Sequence, residues 1–195
     1  MMDIRQFASG YISELVSLLG AFPKDRFEDI VKTLLDAHEK QNNILIMGNG
    51  GSASTASHFA CDINKGCSMD LDKKFKVYCL NDNVATMLAL ANDVSYESVF
   101  AEQMKSFYSP GDVVIGISGS GNSQNVLNAI AYANENQGIT IGLSGFSGGK
   151  LASLARISLV AEIDDMQKVE DVHMIVVHML MQALYAALHD GGRPC

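Results

Sequence analysis

Five short apolar runs, each close to unbroken, constrain this chain more than any other feature. They fall at 43–47 (NILIM), 75–80 (FKVYCL), 112–118 (DVVIGIS), 139–143 (ITIGL) and 157–163 (ISLVAEI). Runs of this length and β-branched content read as buried strands, and segments of helical spacing separate them. Strands apolar on both sides need cover on both faces, and alternation with helices points to a parallel sheet. The expected fold class is therefore α/β, a doubly wound five-stranded parallel sheet flanked by helices. The 195 residues, 48% hydrophobic and 18% charged, suit one domain over 1–195.

Residues 1–42 read as two N-terminal helices ahead of the α/β core at 43–190. Ile4, Phe7, Tyr11, Ile12, Leu15, Leu18 and Leu19 are apolar in the first, and Phe27, Ile30, Val31, Leu34 and Leu35 in the second. Neither has a strand of its own to cover. Packing against a partner subunit is expected, with an intrachain cap as the alternative. Further helices are expected at 53–66, 86–91 (broken by Asn92 and Asp93), 96–107, 123–136, 150–155 and 167–188, followed by a frayed HDGGRPC end.

Two strands empty into glycine-rich turns that open helices. The run at 112–118 ends in GSGNS (119–123), and the run at 43–47 ends in GNGGS (48–52). Such a turn aims free backbone N–H groups and the positive end of a helix dipole at one point. Ser118, Ser120 and Ser123 add hydroxyls, while Gly119 and Gly121 allow close backbone approach, so phosphate is the natural ligand. No Gly-Lys-Ser/Thr follows, and no GxGxxG with a downstream acid, which speaks against nucleoside triphosphates and dinucleotides. An ordinary connection with Ser123 as helix cap remains the competing account. Both turns lie at carboxyl ends of strands, where one pocket can use both.

A formal net charge of −8 recommends no nucleic acid as partner. Cys61, Cys67, Cys79 and Cys195 form no CxxC pair and no signal peptide precedes them, so free thiols and a cytoplasmic location are expected. No apolar run approaches the roughly 20 residues that span a bilayer, so no membrane role is expected.

Acid and imidazole pairs sit on two helices. His58 and Asp62 are four apart on the helix after the first glycine turn, within reach of one ion or proton. The last helix carries Glu170, Asp171, His173 and His178 amid apolar residues. Each has a structural alternative: His58 as a local cap, Asp62 paired with Lys65, His173 as a core histidine. Glu170 and His178 lie about 12 Å apart along a helix, so His58, Asp62 and His178 make the tighter group.

Taken together, GNGGSASTASHFACD, LNDNVATMLALANDVSYESVF, GDVVIGISGSGNSQNV, GLSGFSGGKLASLA and VEDVHMIVVH resemble the SIS, or sugar isomerase, domain family, and within it the phosphoheptose isomerases. The resemblance covers nearly the whole chain. It implies a flavodoxin-like sheet and a cytoplasmic homotetramer with active sites at subunit interfaces. The activity it implies is aldose–ketose isomerisation of sedoheptulose 7-phosphate to D-glycero-D-manno-heptose 7-phosphate, for heptose biosynthesis. On this sequence the phosphate contacts fall on Ser118, Gly119, Ser120 and Ser123. Further substrate contacts fall on Asn49, Gly50, Gly51, Ser52, Asn92, Asp93 and Glu170. The implied zinc ligands are His58, Asp62, Glu170 and His178, and the acid/base pair is Asp62 with His178.

The chain departs from that pattern at several of these places. Asp62 stands where the family has Glu, Glu170 where it has Gln, and Gly119 where Thr is usual. Gln167 replaces an Asp, and Gly66 replaces an Arg with Lys65 adjacent. Asp62 reaches less far and Glu170 adds a charged ligand, so the two changes can compensate. The other reading is a non-catalytic SIS module that binds a sugar phosphate or a protein partner in regulation.

Overall fold

The computed structural model describes residues 2–189. Helices α1 (Ile4–Gly20) and α2 (Lys24–Lys40) lead into β1 (Asn43–Met47), then α3 (Gly51–Cys61) and a π-helical segment at Asp62–Cys67. There follow β2 (Lys76–Cys79), α4 (Val84–Asp93), a 3-10 turn at Tyr96–Ser98 and α5 (Val99–Met104). The chain closes through β3 (Val113–Ser118), α6 (Gln124–Glu135), β4 (Ile139–Gly145), α7 (Gly149–Leu154), β5 (Ile157–Ala161) and α8 (Met166–Leu188). All pairings are parallel, in the order β2-β1-β3-β4-β5. That order is the flavodoxin-like one, whose switch point lies between β1 and β3.

Alternation along the strands divides the core into two layers. Ile44, Ile46, Val113, Ile115, Ile117, Ile141 and Leu143 join the layer filled by α2, α3 and α8. Leu45, Met47 and Val114 join the opposite layer with Phe100, Met104, Val126, Ile130 and Leu151. Gly116 has no side chain because Val126 and Ile130 of α6 press against β3 there. Each such buried aliphatic contributes roughly 1.5–3 kcal/mol, which outweighs any exposed ion pair on this surface.

The strands fall where the apolar runs predict, with altered ends. β4 extends to Gly145 because Ser144 pairs with Ser118 of β3 and Gly145 with Ala161 of β5. The two leading helices differ in how deeply they pack, although Leu15, Leu18 and Leu19 of α1 also reach the core. In α2, Ile30, Leu34 and Ala37 are buried in the sheet layer, so it is an intrachain cover. In α1 no residue is buried, and Ile4, Phe7, Ile12 and Val16 are exposed. Polar contacts tie α1 to α8: the Tyr11 hydroxyl donates to Asp171 at 2.5 Å, and Glu14 pairs with Lys168 at 3.0 Å.

Three local expectations need correction. Asn92 and Asp93 do not break α4 but form its last turn; the break comes at Val94, whose N–H returns to Leu90. The expected helix over 96–107 is a 3-10 turn followed by the short α5. At 23 residues, α8 is by length and composition long and apolar enough to cross a membrane, contrary to the expectation that no run is. It is a core helix here, since Val169, Val172, Val176, Leu180 and Leu184 bury against the sheet. The expected frayed end lies outside the described residues except for His189.

His173 is the core histidine allowed for in the sequence. It is 1% exposed, and its Nε2–H donates to the Ser144 carbonyl at 3.1 Å. Burial pushes its pKa down to about 4, against a weaker upward pull from the Ser144 hydrogen bond. The unfolded chain therefore binds a proton between pH 6.5 and 4 that the folded chain refuses, and stability falls as pH falls through that window. His173→Gln keeps a donor toward Ser144 and cannot titrate. In urea unfolding at pH 7 and pH 5, the variant is expected to lose about 2 kcal/mol less than the parent between the two.

Candidate functional site

The serine turn after β3 is rigid before any ligand arrives. The Ser118 hydroxyl donates to Ser123 Oγ at 3.0 Å, and the Gly121 N–H closes onto the Ser118 carbonyl at 2.9 Å. Ser123 leads α6 but makes no side-chain cap, so its hydroxyl belongs to the turn and the helix-cap account fails. Asn122 braces the turn by accepting from the Lys150 N–H at 3.2 Å, and the Gly121 carbonyl accepts from Leu151 at 2.9 Å. Gly121 sits at φ +68° against the Gly148 carbonyl, so only glycine fits. At Gly119, where the resemblance implies Thr, the space for a side chain is filled by the Met166 sulfur.

The glycine turn after β1 stands beside it. Gly50 has φ +56° and opens α3 without a side-chain cap, leaving the helix N-terminus to other partners. The Glu170 carboxylate lies directly over Gly51, where any side chain would collide with it. An acidic group at that end is favourable to the helix dipole. Asn49 crosses the switch point: its Nδ2 donates to Asn125 Oδ1 at 2.9 Å, and Asn125 Nδ2 donates back at 3.0 Å. Asn81, past β2, grips the same turn by accepting from the Gly48 N–H at 3.1 Å and donating to its carbonyl at 2.8 Å.

One cluster of side chains could hold a metal ion among the described residues. His58 and His178 bring their Nε2 atoms to 2.9 Å, and Asp62 Oδ2 lies 3.2 Å from His58 Nε2. One donor atom from each of the three lies within 4.8 Å of the others. Ligands on a tetrahedral zinc, at bonds of about 2.0–2.2 Å, stand about 3.3–3.5 Å from one another. The 2.9 and 3.2 Å contacts are a few tenths of an ångström shorter than that, so a small opening of the side chains lets two imidazole nitrogens and one carboxylate oxygen take up such an ion. Asp62 pairs with His58 rather than Lys65, at the junction where α3 becomes π-helical. A π turn at a functional residue is a recurrent association.

The structure does not bring every candidate to this cluster. Glu170 is withdrawn from it onto Gly51, two helical turns before His178. Asn92 and Asp93 are exposed, and the Asn92 side chain donates to Asp93 at 2.7 Å. Ser52 is buried behind the first turn. Along α8, Met166, Glu170 and His178 lie at multiples of four residues. They cover the serine turn, the first glycine turn and His58 in that order. The sequence reading missed Asn125 and Tyr96, which both bond Asn49. Asn125 had a signal: it lies four and eight residues before Ala129 and Ala133 on the buried side of α6, where a polar group needs a partner. For Tyr96 no local pattern gives one.

Comparisons with known proteins identify the family and the fold. The SIS domain family model matches residues 10–145. A phosphoheptose isomerase of Helicobacter pylori is 37% identical over 161 residues, 83% of each chain. Among solved structures, a phosphoheptose isomerase from Neisseria gonorrhoeae superposes with TM-score 0.85 at 25% identity, covering 93% of this chain and 98% of that one. One from Francisella tularensis gives 0.86 at 25% identity, covering 94% and 98%.

The two glycines of the serine turn should respond differently to alanine. Gly121→Ala meets backbone at a positive φ and is expected to cost roughly 3 kcal/mol or more in denaturant unfolding. Gly119→Ala meets only the movable end of Met166 and is expected to cost under about 1 kcal/mol.

Proposed function

The chain belongs to the SIS domain family, and from that premise we propose that it is an aldose–ketose isomerase converting sedoheptulose 7-phosphate to D-glycero-D-manno-heptose 7-phosphate. The observation that carries the reading is the meeting of His58, Asp62 and His178 from two helices on the sheet layer that also bounds the glycine turns. A module that only binds a sugar phosphate has no need of that group.

The serine turn anchors the phosphate through the Ser118, Ser120 and Ser123 hydroxyls and the Gly119 backbone. Asn49, Gly50, Gly51 and Ser52 border the sugar, with Asn92, Asp93 and Glu170 as further contacts. Asp62 is the base that takes the C1 proton of the ketose and returns it to C2 through an enediol. His178 moves protons between the two hydroxyl oxygens. His58, Asp62 and His178 would hold a divalent ion, zinc by donor type, and that ion would supply Lewis acidity toward the carbonyl oxygen.

Neighbouring copies complete the site in this reading. Met166 and His178 are separated by about 18 Å along α8, and Glu170 and His178 by about 12 Å. One chain therefore cannot place Glu170 on the imidazole pair, and a second copy supplies that carboxylate. The exposed apolar residues of α1, with Val84 and Leu88 of α4, support a homotetramer. A cytoplasmic location fits the free thiols Cys61, Cys67 and Cys79, two of which burial makes inert by raising Cys67 to about 11 and Cys79 to about 12.

The test is incubation with sedoheptulose 7-phosphate in D2O, with added zinc and with chelator. Aldose carrying solvent deuterium at C2 is expected, with turnover falling on chelation. Asp62→Asn should lower kcat by about a hundredfold or more while sugar phosphate binding persists. No aldose under any metal condition overturns the reading.

A further inference from the structure

We infer that Asn125 and Tyr96 are positioning residues, acting through Asn49 to hold three substrate-facing segments in one arrangement. Asn49 lies on the turn after β1. Its amide is engaged by protein on both sides: Nδ2 donates to Asn125, and Oδ1 accepts from Asn125 Nδ2 at 3.0 Å and from the Tyr96 hydroxyl at 2.8 Å. Both lone pairs of that oxygen are used, so the side chain does not serve the sugar as acceptor.

Each partner comes from a different segment. Asn125 is in the first turn of α6, two residues past Ser123, and is 2% exposed. Its Oδ1 also accepts from the Val126 N–H at 2.9 Å. Tyr96 lies three residues past Asp93. A second bond repeats the link, since Asn128 of α6 donates to the Glu97 carbonyl at 2.9 Å. The Asn49 amide is thus the junction of the first glycine turn, the serine-turn helix and the segment after α4. A reciprocal amide pair at a buried position is directional, so it fixes separation as well as contact. A misplacement of about 1 Å between phosphate anchor and reacting carbons can cost a hundredfold in rate.

This inference rests on the isomerase reading of the same site, and the experiment separates the two. Asn125→Asp is isosteric but replaces the donor facing Asn49 Oδ1 with an acceptor. Tyr96→Phe removes one hydroxyl at an exposed rim and keeps the fold should the buried change fail. Inorganic phosphate affinity, by calorimetry, should stay within about twofold in both, because the serine turn is built from its own bonds. The kcat/KM for sedoheptulose 7-phosphate should fall about tenfold in Asn125→Asp and about threefold in Tyr96→Phe, and Asn49→Ala with Asn125→Asp should fall no further than the worse single change. Additive losses, or phosphate affinity falling in parallel, overturn the junction. A parent chain that binds the sugar phosphate without converting it removes the isomerase reading, and the same variants are then judged by sugar phosphate affinity. A chain that binds neither ligand overturns both.

Discussion

The carboxyl ends of β1 and β3 are neighbours, and the rest of the structure follows from that. Met47 is in register with Gly116. The chain leaves β1 for β2 on one side and returns to β3 on the other, so no connection fills the crevice between the two turns. A parallel sheet in this order has to leave an opening there. Both exits are glycine-rich because the backbone folds tightly at each, as the positive φ at Gly50 and Gly121 shows. Two helix N-termini then face one space, which favours an anion in a chain whose net charge is −8. In the proposed site it is local dipoles and hydroxyls, not the overall field, that hold a phosphate.

Helix α8 is the second organising element. It is buried along one side by the apolar residues that pack it on the sheet layer. Its other side lays Met166 over the serine turn, Glu170 over the first glycine turn and His178 on His58. A helix buried this deeply cannot rotate without exposing Val172, Val176 and Leu180, so the core fixes the order of those three contacts. His173 adds to the constraint: its neutral imidazole ties α8 to Ser144 at the end of β4, next to the Gly145 N–H that donates to the Gly119 carbonyl at 2.8 Å. Packing and site geometry are one property in this region.

Much of this was legible in the sequence, for a physical reason. Buried parallel strands must be apolar on both faces, and tight exits from them need glycine, so sheet and turns leave a residue-level trace. The His58–Asp62 pair was legible because a helix fixes what lies four residues on. Glu170 was harder: its identity suggested a ligand, but eight residues of helix part it from His178, and in one chain it serves the N-terminus of α3. For Asn49, pattern cannot show that its Oδ1 is already engaged by Asn125 and Tyr96. Tyr96 reaches Asn49 across 47 residues, and long-range hydrogen bonds leave no period in a sequence. The end of α4 was misread because Asn and Asp favour turns, and here the backbone at Val94 decides instead.

The central claim is spatial: one sugar phosphate lies with its phosphate on the serine turn and its carbonyl end among the imidazoles and Asp62. The most direct measurement is a crystal structure of the Asp62→Asn chain soaked with sedoheptulose 7-phosphate. The expected result has phosphate oxygens on the hydroxyls of Ser118, Ser120 and Ser123. It also has C1 and C2 beside residue 62 and His178 of the same or a neighbouring copy. Phosphate bound away from that turn, or a carbonyl end directed away from both imidazoles in every subunit, would contradict the account.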